Sequence, residues 1–461
     1  MILAIDIGTT ALKAALVSND GTLVSSVQRI LSVHGSGSTD ASQWMMQIES
    51  ASSEMAASFD KHDIQAVIVD ANGPTLVPYP ETEAMLWMDR RAQSQSREAS
   101  KAAGFFLDSS FIVPKVMWLK ENRPDIYEKT KWFFGSQDYV NYILTGVPTT
   151  LMPLQGLEKW YWDSNLLSRV GLDEDRFPPF VSMGTIIGKL RSAEAQLMGL
   201  EAGIPVIAGC PDFVTSIIGT ATMKPGIVCD RSGTSDGINL CSSISSSDQR
   251  LMCYRHPNGT DWNISGSIST TGASIASAMK LLGLAPQDYD GFYELCRRSS
   301  PGAGSIVFNP YLCGERSPIW DSNAKGTFFG LTIQTTREDI ARSVCEGTVL
   351  AIHDVLEAIG QDCHEIRVTG GPAGNAFLNQ LKADVTQKPV VTMQSSDSEL
   401  LGLAIIGLKS LGCFSSISEG AEALVKAAHV HEPDSRLSKL YQNSYSLYKS
   451  VYQTLKTLPS T

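Results

Sequence analysis

Short apolar runs separated by turns open the chain. Residues 2–8 (ILAIDIG) predict a first strand, Thr9-Thr10 a turn, and residues 11–17 (ALKAALV) a second strand. Asn19-Asp20-Gly21 then leads into the apolar run LVSSV. Asp-Gly between two apolar runs is typical of a β-hairpin. We therefore expect antiparallel strands at the start of the chain.

Helices and strands alternate after these strands. The spacing of apolar residues predicts helices over residues 41–59 and 123–134, and strands over residues 64–72 and 204–210. A further amphipathic helix is expected over residues 434–455. Its apolar positions recur every three or four residues, at Leu437, Tyr441, Tyr445, Tyr448, Tyr452 and Leu455. We interpret this aromatic stripe as a packing face.

The opening pattern occurs a second time near residue 226. Asp6 is followed by Gly-Thr-Thr between two apolar runs, and Asp230 is followed by Gly-Thr-Ser between two apolar runs at almost the same offset. A strand-turn-strand unit that occurs twice indicates two α/β lobes of related topology. We place the boundary between residues 224 and 225, giving lobes of residues 1–224 and 225–461.

Composition narrows the classes of partner. The 461 residues are 43% hydrophobic and 18% charged, with a net charge of -11 and no stripe rich in Lys or Arg. Nucleic acid and anionic membranes are gripped through basic surface, so neither is expected as a partner. No apolar run approaches the ~18 residues that span a bilayer. The nine cysteines contain no CxxC pair, which favours reduced thiols and a cytoplasmic protein.

Asp6-Ile7-Gly8-Thr9-Thr10 is the first segment with candidate chemistry. A glycine turn lets backbone amides approach a phosphate, and a carboxylate at the strand end can hold Mg²⁺ through water. Lys13 could neutralise phosphate charge. An ordinary β-turn explains the same five residues when they are taken alone. The chain has neither a GxxxxGK[ST] loop nor a GxGxxG fingerprint at Rossmann spacing, so an NAD enzyme is disfavoured.

Two further strand ends carry polar residues. Asp212 follows the predicted strand that ends in Gly209-Cys210-Pro211, and it suits either catalysis or a helix N-cap. Asn375 follows a Gly370-Gly371 turn, where it suits either a helix cap or a nucleotide contact. Three glycine-hinged strand ends with polar tips are together what a nucleotide site between two lobes requires.

These segments, in this order, resemble the FGGY family of carbohydrate kinases over nearly the whole chain. The matching segments are Asp6–Thr10 with Lys13, Leu86–Arg91, Asp138-Tyr139, Gly209–Asp212, Ser232–Ser235, Gly314–Pro318, Gly326–Leu331 with Asp339 and Glu346, Gly370-Gly371 with Asn375, and Glu399–Ala404.

The resemblance implies an α/β fold of two ribonuclease-H-like, actin-like lobes with a cleft between them. It implies a sugar site in the first lobe, an ATP site in the second, and Mg-ATP as phosphate donor. Carried over by position, Asp212 is the general base, and Asp6 and Asp212 hold the metal. The phosphate contacts fall on Thr9, Thr10, Lys13, Gly233 and Thr234, and the adenosine contacts on Gly371 and Asn375.

Sugar contacts implied by the resemblance fall on Asn72, Trp87, Asp89, Asp212 and Phe213. Asn72 stands where xylulose kinases resemble one another in having histidine, and Phe213 stands where many members have Asn or Gln. We expect a ketopentose such as xylulose, with a polyol or a sugar acid as alternatives. A non-catalytic sugar- or ATP-binding regulator and an ATPase acting on a partner protein are further alternatives, and a homodimer is left open.

Overall fold

The computed structural model describes residues 1–35, 37–395 and 397–457, which form two compact units. The first unit contains Met1–Ala221 and Asp397–Val425, and the second contains Thr222–Ser396 and Lys426–Thr461. The change of unit at Ala221 lies close to the boundary expected from the sequence. The return of Asp397–Val425 to the first unit differs from the single boundary that we predicted, because a late helix packs against the early residues.

The described residues up to Ala221 contain twelve strands and eight α-helices. The strands are β1 (Ile2–Ile7), β2 (Ala11–Val17), β3 (Leu23–Ile30), β4 (Ser38–Asp40), β5 (Ala66–Ala71), β6 (Val77–Tyr79), β7 (Glu83–Met85), β8 (Trp132–Phe134), β9 (Thr150–Leu151), β10 (Phe180–Val181), β11 (Ile186–Lys189) and β12 (Pro205–Pro211). The helices are α1 (Ser42–Ala56), α2 (Gln93–Ala103), α3 (Ile112–Asn122), α4 (Pro124–Lys129), α5 (Ser136–Thr145), α6 (Ser164–Arg169), α7 (Ser192–Met198) and α8 (Asp212–Gly219).

The remaining described residues contribute nine strands and seven helices. The strands are β13 (Ile227–Ser232), β14 (Asp236–Ser242), β15 (Met252–Arg255), β16 (Trp262–Ile268), β17 (Val307–Asn309), β18 (Thr327–Phe329), β19 (Glu365–Thr369), β20 (Val390–Met393) and β21 (Ala427–His431). The helices are α9 (Gly272–Leu281), α10 (Tyr289–Arg298), α11 (Arg337–Ile359), α12 (Ala376–Thr386), α13 (Ser398–Ser410), α14 (Ile417–Leu424) and α15 (Ser438–Leu455). Within the described ranges, no helix combines the length and apolar composition that a membrane span requires.

Each unit is built on one main sheet, and the two sheets share a strand order. The first runs β3-β2-β1-β5-β12-β11 and the second contains β16-β14-β13-β19-β20-β21. In both, three antiparallel strands continue into two parallel strands and then into an antiparallel edge strand. The prediction of two α/β lobes of related topology is therefore confirmed.

Parallel strands place chemistry at one edge of the first sheet. Strands β1, β5 and β12 are mutually parallel neighbours, so their carboxyl ends meet at the same edge. Asp6 of β1 lies directly opposite Asp70 of β5 and opposite Lys13 of β2. Asp212 begins helix α8 directly after β12. Three carboxylates that are far apart in sequence are thus brought to one sheet edge.

One expected helix ends earlier than predicted, and another is confirmed. The helix expected over residues 123–134 ends at Lys129, and Trp132–Phe134 forms strand β8, which pairs with β6. Aromatic residues favour a pleated, half-buried surface, so pairing with β6 outweighs the helical spacing. The helix expected over residues 434–455 is confirmed as α15, and its tyrosines are buried in the core of the second unit, as a packing face requires.

Helix α13 packs against helix α8 at a distance that excludes side chains. A β-carbon on Gly219 would lie 1.7 Å from the carbonyl oxygen of Ser398, and one on Gly402 would lie 2.1 Å from that of Thr215. Neither distance is compatible with a real β-carbon, and both neighbours are backbone atoms that cannot rotate away. The contact therefore fixes where α8, and with it Asp212, sits in the first unit.

We expect Gly402→Ala to destabilise the first unit. The added methyl must push α13 away from α8, and overpacking of this kind costs about 1–3 kcal/mol. Urea unfolding of the purified protein measures the change. Gly374→Ala is the matched control, because a β-carbon on Gly374 meets no atom within 4 Å. Equal midpoints for the two variants would contradict the packing argument.

Candidate active site

The turn after β1 is held in a shape that only glycine permits. The backbone N–H of Gly8 donates to the carbonyl oxygen of Ala11 at 2.9 Å, and a β-carbon on Gly8 would lie 2.6 Å from that oxygen. This tight turn follows the buried carboxylate of Asp6 directly. Thr9 and Thr10 therefore stand at the sheet edge where the sequence predicted phosphate contacts.

Acidic groups outnumber bases around this turn. Lys13 Nζ lies 2.8 Å from Asp397 Oδ2 and 3.4 Å from Glu399 Oε2. Burial, reinforced by the nearby charge of Glu399, raises the pKa of Asp6 well above its usual range. Burial and the charge of Asp6 do the same to the pKa of Asp70. An added cation would relieve this repulsion between carboxylates.

The acidic edge fits Mg²⁺ better than a metal held entirely by protein. Among the residues that the structure describes, no three His, Cys, Asp or Glu side chains are grouped closely enough to hold a metal ion. Mg²⁺ is commonly bound by one or two carboxylates, with water and substrate phosphates completing its octahedron. Asp6 and Asp212 can supply such a pair, because burial and nearby carboxylates raise the pKa of Asp6 despite the charge of Lys13, and an added cation would offset those carboxylates.

Asp212 is the first residue of α8. Pro211 occupies the N-cap position, so the cap that the sequence left open for Asp212 is not the arrangement found. One carboxylate oxygen accepts the backbone N–H of Phe213 at 2.7 Å, and the backbone carbonyl accepts the hydroxyl of Thr215 at 2.7 Å. These bonds orient the carboxylate at the wall of a cavity.

The cavity beside Asp212 has an aromatic wall and a polar wall. Its lining includes Asn72, Gly73, Pro74, Thr75, Ile112, Ser136, Gln137, Asp138, Thr150, Trp160, Tyr161, Trp162, Asp212 and Phe213. The ring of Phe213 meets that of Trp160 edge to face at 6.1 Å. Among the described side chains of this wall there is no Lys, Arg or His, and the carboxylates are those of Asp138 and Asp212.

Three of the five residues predicted to contact a sugar belong to the described cavity lining, and two do not. Asn72, Asp212 and Phe213 line the cavity. Trp87 is not part of the described lining, but its indole N–H donates to Thr9 Oγ1 at 3.0 Å, and the side-chain amide of Asn72 donates to the same oxygen. The Thr9 hydroxyl, predicted to contact phosphate, is therefore bonded to two residues predicted to contact sugar.

Asp89 is buried away from the cavity. Its carboxylate accepts hydrogen bonds from the Arg91 guanidinium at 2.7–3.2 Å and from the Arg91 backbone N–H at 2.9 Å. The guanidinium in turn lies 4.7 Å above the ring of Trp118. Asp89 is fully buried and absent from the described cavity lining. In this structure it braces the segment that carries Trp87, and its contact with a sugar stays a prediction.

Lys115 is a residue that the sequence reasoning missed. It lies on α3, has no exposed surface, and its ammonium donates to the backbone carbonyls of Pro74, Met85 and Leu86 at 2.8–3.0 Å. These carbonyls belong to the segments that carry Asn72 and Trp87. A lone lysine within the apolar run VPKVMWL was the available signal, because burying an ammonium requires partners.

The second unit repeats the acidic strand end, but there the acid is neutralised. Lys382 Nζ forms an ion pair with Asp230 Oδ2 at 2.5 Å and donates to Ser232 Oγ at 2.8 Å, with both ion-pair side chains almost fully buried. Asp236 accepts the hydroxyl of Thr271 at 2.6 Å and the backbone N–H of Gly233 at 3.1 Å. This network fixes the turn at Gly233 and holds the Ser232 hydroxyl between Asp230 and Lys382.

A cavity of about 510 Å³ in the second unit gathers the predicted nucleotide residues. Gly233, Thr234, Gly371 and Asn375 line it, together with Gly272, Ala273, Ile275, Ala276, Tyr289, Asp290, Tyr293, Pro372 and Gly374. The side-chain oxygen of Asn375 caps α12, where it accepts the backbone N–H of Leu378 at 3.0 Å. Both roles that the sequence left open for Asn375 are thus compatible, since the cap does not use its NH₂ group.

Comparison with known proteins matches both units to one family. The N-terminal domain of the FGGY family of carbohydrate kinases matches residues 1–219, and the C-terminal domain of that family matches residues 231–411. The chain belongs to the FGGY family of carbohydrate kinases. It is therefore a phosphotransferase with an alcohol group as acceptor, from a family that uses ATP, and the resemblance inferred from the sequence is confirmed.

Relatives of this FGGY kinase carry two substrate names. A xylulose kinase of Staphylococcus epidermidis is 28% identical over 499 residues, covering 99% of this chain and 97% of the relative. A gluconokinase of Bacillus licheniformis is 26% identical over 502 residues, covering 99% and 96%. The solved structure of a ligand-bound xylulose kinase from Lactobacillus acidophilus has a TM-score of 0.87 at 23% identity, covering 99% and 98%. The shared fold does not choose between these substrates.

We expect Lys115→Met to damage the sugar site of the kinase. Methionine fills similar space but removes one donor from each of three buried carbonyls. Those of Met85 and Leu86 keep the backbone N–H groups of Leu76 and Asp89, whereas that of Pro74 loses its partner within the described structure, at a cost of about 1–3 kcal/mol. The segments that carry Asn72 and Trp87 should loosen, so the melting temperature should fall and the KM for the sugar should rise more than the KM for ATP. Lys115→Arg, which keeps the charge and donors, should retain more of both properties. An unchanged sugar KM in Lys115→Met would contradict this role.

Asp138 should make the stability of the kinase depend on pH. Burial raises the pKa of its carboxyl to about 7, although the carboxyl accepts the N–H of Leu151 at 3.0 Å. Between about pH 4 and pH 7 the folded protein keeps a proton that the unfolded chain has released, so the stability falls as pH rises. Asp138→Asn lacks this titration, and its advantage should grow across the window to at most about 4 kcal/mol. Urea unfolding at pH 4.5 and pH 7.5 tests this expectation, and a constant difference would contradict it.

Proposed function

We propose that this kinase transfers the γ-phosphate of Mg-ATP to a hydroxyl of a neutral ketose such as xylulose, with Asp212 as the general base. The observation that carries the proposal is the position of the Asp212 carboxylate, on the wall of a cavity lined by hydroxyl, amide and aromatic side chains. Such a lining is typical of sites that bind sugars, because rings pack against C–H faces while polar groups bond the hydroxyls.

The hydrogen bonds and helix packing of Asp212 support its assignment as the general base. Its carboxylate is anchored by the N–H of Phe213, and its helix is fixed by the backbone contact between α8 and α13. A hydroxyl in the cavity can give its proton to this carboxylate as the hydroxyl oxygen attacks the phosphorus. General base catalysis contributes about 10²- to 10⁴-fold to rate, and positioning of the two reactants supplies much of the rest.

Phosphate handling falls to the glycine turns. In the first unit, Thr10 and Lys13 stand beside the turn at Gly8, and Lys13 would exchange part of its ion pairing with Asp397 for phosphate oxygens. In the second unit, Gly233 and Thr234 line the larger cavity. Mg²⁺ bound by Asp6 and Asp212 would neutralise charge on the transferring group. Asp6 then keeps its ionised form because the added cation offsets its carboxylate neighbours.

Adenosine fits the cavity of the second unit beside Gly371 and Asn375. Gly371 has no atom within 4 Å of a virtual β-carbon, so a flat ring can approach its backbone closely. Tyr289 and Tyr293 supply aromatic surface, and Asn375 supplies an amide. Stacking and a few polar contacts of this kind are how proteins commonly bind a base.

The charge of the sugar cavity separates the two substrate names found among the relatives. Gluconate carries a carboxylate, whereas xylulose is neutral. Asp138 and Asp212 line the cavity, and none of the described side chains in its wall is basic. A sugar acid would therefore bring an anion towards the carboxylate of Asp212 and towards Asp138, which is partly protonated near neutral pH because burial raises its pKa to about 7, with no compensating cation among the described side chains of this wall. This favours a neutral sugar.

Asp212→Asn tests the general base. The amide keeps the size of the side chain but cannot accept the proton, so kcat should fall by about 10²- to 10⁴-fold. The dissociation constant for ATP without Mg²⁺ should stay within about threefold, since the nucleotide cavity lies in the other unit. Phe213→Leu is the matched control at the cavity wall, and it should change the sugar KM more than kcat. A wild-type kcat in Asp212→Asn would refute the assignment.

A panel of acceptors tests the reaction and its substrate. ADP release is measured with xylulose, ribulose, glycerol, gluconate and no acceptor. The proposal predicts release that depends on a ketose and is at least tenfold faster than with gluconate at equal concentration. Release without any acceptor would indicate an ATPase, and no release at all would indicate a binding protein. Faster release with gluconate would overturn the neutral-sugar assignment.

A further inference from the structure

Three residues that line the sugar cavity each have a buried polar side-chain atom with no hydrogen-bond partner within the described structure. The atoms are Thr75 Oγ1, Gln137 Oε1 and Thr150 Oγ1. The exposed fractions of the three residues are 1%, 8% and 1%. Folded proteins pair nearly all buried polar atoms, because each unpaired one costs about 1–3 kcal/mol. Three such atoms around one cavity require an explanation.

The three atoms come from separate elements of the first unit. Thr75 follows β5 through the segment that Lys115 holds, Gln137 is the second residue of α5, and Thr150 begins β9. No single loop distortion can therefore account for all three. Their common feature is the cavity, and the aromatic side chains of Trp160 and Phe213 line the same space.

We propose that Thr75, Gln137 and Thr150 form a subsite that binds the hydroxyl groups of the sugar other than the one that is phosphorylated. This inference rests on the proposed function and names the residues that set its specificity. An amide oxygen accepts a hydrogen bond from a hydroxyl, and a threonine hydroxyl can donate or accept. A neutral polyhydroxylated ligand can satisfy all three atoms at once.

One of the three atoms disfavours a carboxylate. The Gln137 oxygen only accepts hydrogen bonds and cannot donate to an anion, whereas the two threonine hydroxyls can. A site built to bond hydroxyls also rejects analogues that lack them, because its buried polar groups are then left unpaired. The subsite therefore favours a sugar with several free hydroxyls over glycerol and over a sugar acid.

Replacing a subsite atom should have opposite effects on stability and on sugar affinity. Thr150→Val and Gln137→Leu remove an unpaired polar atom from the ligand-free protein, so the melting temperature should stay constant or rise. The same changes remove a partner for a sugar hydroxyl, so the KM and the dissociation constant for xylulose should rise by about tenfold, while the KM for ATP should change less than twofold.

Thr149→Val is the matched control. The Thr149 hydroxyl is also buried without a partner within the described structure, but Thr149 is not part of the described cavity wall. Its replacement should affect the melting temperature in the same direction and leave the sugar KM within twofold. The proposal is overturned if Thr150→Val and Gln137→Leu leave the sugar affinity within twofold, or if Thr149→Val weakens it equally.

Calorimetric titration with xylulose in the absence of ATP separates the two levels of the proposal. If wild-type protein binds xylulose and Thr150→Val binds it about tenfold more weakly, the subsite is supported even where turnover fails. If wild-type protein turns over xylulose and both variants bind it as tightly as wild type, the subsite is wrong and the proposed function stands. If wild-type protein does not bind xylulose or any other neutral sugar of the panel, both are wrong.

Discussion

Helices α8 and α13 touch backbone to backbone, and the active-site edge of the first unit depends on this contact. Gly219 and Gly402 leave no room for a β-carbon at the crossing. The contact fixes the helix that begins at Asp212, and it also brings Glu399 to Ser216 and to Lys13. One steric constraint thus positions the candidate base, Asp212, and also Glu399, which pairs with the candidate phosphate contact Lys13.

The two units share a strand order, but the charges around the corresponding strand-end acids differ. In the first unit, the strand-end acid Asp6 is buried near Glu399, Asp212 and Asp397, and Lys13 offsets only part of their charge, so the pKa of Asp6 stays raised. In the second unit, the corresponding acid Asp230 is neutralised by the buried Lys382. A buried ion pair of this kind fixes a turn more than it adds stability. The duplication therefore supplies one strand-end turn crowded by carboxylates and one turn braced by a buried ion pair.

The sugar cavity combines a wall that is held in place with buried polar atoms that lack hydrogen-bond partners among the described residues. Lys115 ties together the segments that carry Asn72 and Trp87, and this keeps the polar wall in place without a ligand. The same wall contains buried oxygens, such as that of Gln137, without partners among the described residues. Unpaired polar atoms lower the stability of the ligand-free protein. A ligand that supplies the missing hydrogen bonds removes this cost, and its affinity is higher for that reason. Preorganised sites commonly show this exchange of stability for function.

The sequence by itself determined the strand-turn motifs, the two-lobed α/β fold, the family, and candidate residues such as Asp6, Asp212 and Asn375, because glycine turns and strand ends are local features. It misjudged Trp132–Phe134, where pairing with β6 outweighed helical spacing. Only the tertiary structure decided that Asp397–Val425 packs with the first unit, that Asp89 is bound to Arg91 away from the cavity, and that Gln137 lines it. These outcomes depend on contacts between residues far apart along the chain, which local pattern does not encode.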